Sequence, residues 1–166
     1  MKLSRTASII LLIVANIAID QISKFIVRAK IAQYEVIELI GEAFILTKVE
    51  NEGAFLGMGS DLSPLLKWAL LLILPVIVLG GVIYYILTNK SLDRLSLIAF
   101  CCIVGGGIAN VFDRFMYGSV TDFFHIDLGG VFRTGIFNLA DMSVSFGMIL
   151  LVIASFQQRK LEKANA

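Results

Sequence analysis

Asp122 and Asp141 are the residues from which hydrolytic chemistry could most simply be built. Asp122 lies in a Val-Thr-Asp-Phe-Phe stretch between two apolar runs, and Asp141 stands near the start of the second run. If the intervening loop folds back onto the helix ends, the two carboxylates can meet. Two carboxylates held close together cannot both ionise comfortably, and they share a proton across neutral pH. One then deprotonates a water while the other protonates a departing amide nitrogen. That is the chemistry of an aspartic protease, and it requires neither a metal nor a nucleophilic side chain. Further polar clusters accompany the pair: Asp20 to Lys24, Asn51 to Phe55, Asn110 to Arg114, and Asn138 beside Asp141. Asn110, Asp113 and Arg114 are three or four residues apart and can share a helical face, as can Asn138 and Asp141. The same residues would also serve as hydrogen-bonding glue between helices.

Other chemistries fit less well. Ser119 and Ser143 have only His125 as a basic partner, because it is the single histidine. With one imidazole, a zinc site would need an unusual, mostly carboxylate ligand set, so no metal and no cofactor is expected. Cys101 and Cys102 are adjacent within an apolar run, which suits packing and neither a structural disulfide nor a C-x-x-C redox site. A proton- or ion-coupled membrane transporter is the main alternative, since intramembrane Asp and Arg residues also mark ion pathways. A pathway should continue through the other half of each helix. Segments such as IILLIVAN and MILLVIASF are almost bare of polar groups.

The elements that must position these residues are membrane helices. Hydrophobic residues form 58% of the 166-residue chain, charged residues 16%, and mean hydropathy is +0.87. A soluble domain has about 25% charged residues, so this pool could not cover a water-exposed surface. A net charge of +1 and the absence of phosphate-cradle or zinc-finger spacings give no indication of nucleic acid. Four apolar runs, at 6–27, 66–88, 95–112 and 136–156, each approach the ~20 residues that a helix needs to cross ~30 Å of hydrocarbon. The first run could be a signal peptide following Lys2 and Arg5, but no small-x-small site closes it. It is read as a retained helix. Pro75, Gly80 and Gly81 suggest a kink in the second run, and Gly105-Gly106-Gly107 allows close approach of another helix to the third.

Four spans place both termini and the 88–94 loop on one side. That side carries seven basic residues (Lys2, Arg5, Lys90, Arg94, Arg159, Lys160, Lys163) against Asp93 and Glu162. The excess marks it as cytoplasmic. The two long connections then face outward, and every polar cluster falls at the outer ends of the helices or in the outer loops. The first connection, 34–57, includes EVIELI and AFILTKV and should form two to four short strands. The second, with FFHIDLGGVF, suits a reentrant or interfacial loop. The expected fold is a single all-α domain over 1–166: a four-helix membrane bundle with a small outer-face β-sheet between helices 1 and 2.

In this order the clusters resemble the lipoprotein signal peptidase, or signal peptidase II, family. The matching segments are D-Q-x-x-K at Asp20–Lys24, N-x-G-A-F at Asn51–Phe55 and G-G-x-x-N-x-x-D-R at Gly106–Arg114. They continue with V-x-D-F at Val120–Phe123 and F-N-x-A-D-x-S at Phe137–Ser143. The resemblance covers nearly the whole chain. It implies an aspartic endopeptidase of the bacterial inner membrane, active as a monomer among membrane phospholipids. The family removes signal peptides from diacylglyceryl-modified prolipoproteins, immediately before the modified cysteine. Asp122 and Asp141 are then the catalytic pair. Asn110, Asp113, Arg114 and Asn138 position it, and Asp20, Lys24 and Asn51 fall in further family motifs. Ser23 stands where threonine is expected and retains the hydroxyl.

Overall fold

The computed structural model describes residues 3–54 and 58–164. Phe55, which ends the second motif, lies outside the described residues. The element order is α1 (Arg5–Lys30), β1 (Val36–Ile40), β2 (Phe44–Asn51), α2 (Pro64–Thr88), α3 (Arg94–Tyr117), β3 (Val120–Ile126) and α4 (Leu139–Ala164). All four helices are long and apolar enough to cross a membrane, the shortest qualifying stretch being 23 residues. At 1.5 Å per residue that is about 35 Å, enough for the hydrocarbon core. Their exposed Ile, Leu, Val and Phe side chains are what a helix surface facing lipid requires.

Local chemistry explains the helix ends. Ser4 caps α1 by accepting from the Ala7 amide at 3.2 Å, and Asp93 caps α3 through the Ser96 amide at 2.9 Å. Gly118, at φ +77°, ends α3 in the left-handed region and turns the chain directly into β3. The irregularity expected near Pro75 is a π-helical turn over Trp68–Ile73. Proline has no amide proton and its ring crowds the preceding turn, so the backbone widens just before it.

α3 is the axis of the bundle, packing against α1, α2 and α4. Its glycine run faces three helices at once. A β-carbon on Gly105 would lie 2.6 Å from Asn16 Cβ of α1, and one on Gly107 would lie 2.7 Å from Leu79 Cδ2 of α2. A β-carbon on Gly106 would press on the Ala140 carbonyl oxygen of α4. Three consecutive residues point about 100° apart around a helix, so each admits a different neighbour. Away from the polar end, Ile9, Ile86 and Cys101 form a buried apolar cluster. There the α1 and α2–α3 ends are tied by Arg5 Nη2 donating to Asn89 O at 2.8 Å.

The sheet has the order β1-β2-β3, both pairs antiparallel. Its third strand comes from the second long connection, which is therefore folded into the sheet over Val120–Ile126. The β-branched and aromatic residues of VTDFFHI favour a strand, and β2 supplies the partner. Phe123 packs with Val27 and Ile31 at the end of α1, anchoring the sheet to the bundle. The fourth helix begins at Leu139, three residues later than the run at 136–156 suggests. Phe137 instead runs beside β3, its amide donating to Phe124 O at 2.8 Å. Apolar character alone cannot distinguish such an extended segment from a first helical turn.

Candidate active site

Two antiparallel registers bring the carboxylates together. Asp122 lies opposite Val49 on β2, and Val120 lies opposite Asn51, so Asn51 is a diagonal neighbour of Asp122 on the same sheet face. Asn51 Nδ2 donates to Asp122 Oδ2 at 2.9 Å. The extended Phe137 segment then delivers Asn138, whose Nδ2 donates to Asp122 Oδ1 at 2.6 Å. Asn138 also starts α4. Its Oδ1 accepts from the Asp141 amide at 2.9 Å, and its own amide donates to Asp141 Oδ2 at 3.1 Å. This is a reciprocal capping box with aspartate at the third helical position. Asn110 of α3 completes the set, with Nδ2 donating to Asp141 Oδ1 at 2.9 Å.

Every amide orientation here is forced. Asn51 Oδ1 accepts from the Gly53 amide at 2.9 Å, Asn138 Oδ1 from the Asp141 amide, and Asn110 Oδ1 from Lys24 Nζ at 2.8 Å. Backbone amides and ammonium groups only donate, so each asparagine must turn its N–H, not its carbonyl, toward the acids. Each of the four carboxylate oxygens consequently accepts one hydrogen bond. Asp122, Asp141, Asn51, Asn110 and Arg114 also line a cavity of about 20 Å³. That is room for one water among polar partners. Arg114 Nη2 donates to Gly53 O at 2.9 Å, tying α3 to the end of β2.

Asp122 is 3% exposed. Its burial, with the neighbouring charge of Asp141, outweighs the hydrogen bonds from Asn51 and Asn138 and raises its carboxyl to about 7. A carboxyl so placed is still partly protonated near neutral pH.

Asp20, Lys24 and Asp113 lie behind this cavity. Lys24 Nζ is 2.8 Å from Asp20 Oδ2 and 2.8 Å from Asp113 Oδ2, and all three side chains are buried. Asp113 therefore does not share the Arg114 face but turns toward α1. Asp20 Oδ1 accepts from the Ala140 amide at 2.8 Å and helps hold the start of α4. Arg28 escaped the sequence reading, because the first run was taken to end at residue 27. Its Nη2 is 3.1 Å from Asp113 Oδ1, its Nε donates to Thr121 Oγ1 at 2.7 Å, and its guanidinium stacks 4.0 Å from the Tyr117 ring centroid. The signal was present, since Asp20, Lys24 and Arg28 repeat every four residues along one helical face. Thr121 and Ser119 also donate to Glu50 at 2.9 and 2.8 Å, a set that depends on strand register and leaves no local trace in the sequence. Glu52 pairs with Lys67 at 3.0 Å, which accounts for the acid after Asn51.

A serine mechanism has no support in this geometry. Ser119 Oγ is engaged by Glu50, and Ser143 Oγ donates to Asn16 and to Cys102 O. His125 lies instead near Arg133 and Gly135, on the wall of a larger cleft of about 780 Å³ that Asp122 also lines. On the other side, Asp141 borders an apolar groove of about 370 Å³ with Phe132, Ile136, Phe137 and Met142.

Four membrane-length helices, with Asp122 and Asp141 on one small cavity at one end, define a polytopic membrane protein. Comparison with known proteins gives the family. The family model for signal peptidase (SPase) II matches residues 12–157. A lipoprotein signal peptidase of Clostridium novyi (strain NT) is 31% identical over 91% of this chain and 99% of its own length. One from Streptococcus pyogenes serotype M2 (strain MGAS10270) is 34% identical over 90% of this chain and 93% of its own. A solved bacterial membrane enzyme, determined by the in meso method at 2.3 Å, superposes with a TM-score of 0.80 at 28% identity, covering 92% of this chain and 89% of that one. The chain belongs to the signal peptidase II family and is a multi-pass membrane peptidase.

Proposed function

We propose that this peptidase removes signal peptides from diacylglyceryl-modified prolipoproteins, cutting immediately before the modified cysteine by two-carboxylate activation of water. The observation that carries the mechanism is the placing of Asp122 and Asp141 on one cavity of about 20 Å³. The substrate class rests on family membership and on relatives called lipoprotein signal peptidases. A water in the cavity loses a proton to Asp141, and its oxygen bonds to the scissile carbonyl carbon. The neutral carboxyl, Asp122, gives its proton to the amide nitrogen as the C–N bond breaks. Asn51, Asn110 and Asn138 keep the two acids fixed through the exchange, and Arg114 holds Gly53 beside them.

The shape of the site suits a lipid-anchored chain. Each buried CH₂ holds such a substrate in the bilayer by ~0.8 kcal/mol, so the acids must come to it at the membrane surface. The polar cleft on the Asp122 side would take the extended peptide, and the apolar groove on the Asp141 side would take lipid from the bilayer. The excess of Lys and Arg at the ends away from the site supports a topology with both termini in the cytoplasm and the sheet at the outer face of the cytoplasmic membrane.

The test is cleavage of a diacylglyceryl-modified precursor by purified protein in detergent. Asp122→Asn and Asp141→Asn should each abolish turnover while leaving the protein folded, and the double variant should be no worse than either single one. Near-normal turnover in Asp122→Asn would exclude the pair.

A further inference from the structure

Lys24 does more than balance charge. It is fully buried, and its ammonium meets three oxygens: Asp20 Oδ2, Asp113 Oδ2 and Asn110 Oδ1, each at 2.8 Å. A lysine has three donors and no acceptor; one donor goes to Asn110 Oδ1, while Asp113 Oδ2 is held by charge and accepts no hydrogen bond. Two carboxylates are sufficient to pair a buried cation, and Arg28 already serves Asp113 at 3.1 Å from the other side. The donor on Asn110 is directed at a neutral amide, and that amide belongs to the one α3 side chain that reaches Asp141. An asparagine amide can present either end to its surroundings. With its carbonyl toward Asp141, Asn110 would set oxygen against carboxylate oxygen. Lys24 forbids that orientation because its own contact must be with an oxygen. Asn138 Nδ2 reinforces it only at 3.3 Å, its short bond being to Asp122.

We propose that Lys24 is a positioning residue for hydrolysis, acting through Asn110 to keep an N–H donor on Asp141 and so to fix that carboxylate against the attacking water. The proposal rests on the two-carboxylate reading above and extends the working site from the two acids into the α1–α3 contact behind them.

Lys24→Met alone leaves buried Asp20 without its cation and risks loss of fold. The decisive variant is Lys24→Met with Asp20→Asn, which keeps the cluster neutral and retains the Arg28–Asp113 pair. Purified full-length variants are assayed on the diacylglyceryl-modified precursor for kcat, KM, pH–rate profile and thermal unfolding. The expected result is a folded double variant with kcat reduced about 100-fold, KM little changed and a displaced pH profile, because a small misplacement of a reacting group has that cost. Asn110→Ala should show the same kcat loss, and adding the Lys24 and Asp20 changes to it should cost less than about twofold more. Wild-type kcat and pH profile in the double variant, or full additivity with Asn110→Ala, would overturn the proposal. If no Lys24 variant folds, Asn110→Ala decides: wild-type kcat there overturns it, since the proposed link to Asp141 runs through that amide. Failure of the hydrolytic reading itself would look different, as persistent cleavage by Asp141→Asn.

Discussion

Asp122 is the residue on which a pH dependence can be argued. Its folded carboxyl, lifted to about 7 by burial and the nearby Asp141, stands above the ordinary 3.8. The folded protein therefore binds more protons than the unfolded chain between those values. Stability contributed by this group declines as pH rises through the window and is fully lost above about pH 7. The melting temperature in detergent should fall from about pH 4 to about pH 8. Asp122→Asn should remove part of that fall, because the amide has no proton to lose. An unchanged slope in the variant would mean that the carboxyl ionises normally. For catalysis the same group predicts an alkaline limb of kcat/KM near pH 7, since the proton needed by the leaving nitrogen is then absent. That limb belongs to the pair as a unit.

Among the elements, the contact between α3 and α4 sets the positions of the acids. Gly106 packs on the backbone of Ala140, which immediately precedes Asp141, and Asp20 holds the amide of the same residue. A methyl group at Gly106 must push α4 outward. Gly106→Ala is expected to destabilise the bundle by about 1–3 kcal/mol and to reduce cleavage further than the stability loss explains. Gly80→Ala is the control, because a β-carbon there meets nothing within 4 Å. Thermal unfolding together with cleavage rate on each variant checks this. Equal behaviour of the two would show that α4 has room to spare at Ala140. The sheet matters in the same way: β3 carries Asp122 only because β2 holds it in register, and Glu50 with Arg28 fastens that pair to α1.

Over the whole molecule, polarity is segregated by depth. The site, the sheet and the buried charges occupy one end, and the opposite half is closed by Ile9, Ile86 and Cys101. Such a layout suits chemistry at a surface. A reporter in the 88–94 loop, or following Ala166, should read as cytoplasmic, and one in the segment between α1 and β2 as external. A cytoplasmic signal from the latter would put the acids on the wrong face for a secreted precursor.

The sequence by itself determined the four helices, the polarity of the two ends and the chemical candidates, because a membrane span is a property of composition and length. It also marked Gly105-Gly106-Gly107 as a contact, though not that three helices use it. Tertiary structure decided what depends on partners remote in the chain. VTDFFHI reads as an interfacial loop until β2, some seventy residues earlier, gives it a ladder. Asn138 reads as part of a helix until the Phe137 segment pairs with β3 and leaves it as a cap. Spacing could suggest that Asn110, Asp113 and Arg114 share a face, but packing sends Asp113 to Lys24 and Arg28 while Asn110 and Arg114 border the cavity. The physical reason is the same in each case. Hydrophobic periodicity is local and additive along the chain, whereas a carboxylate pair depends on strand register, helix rotation and buried hydrogen bonds that exist only once distant segments have met.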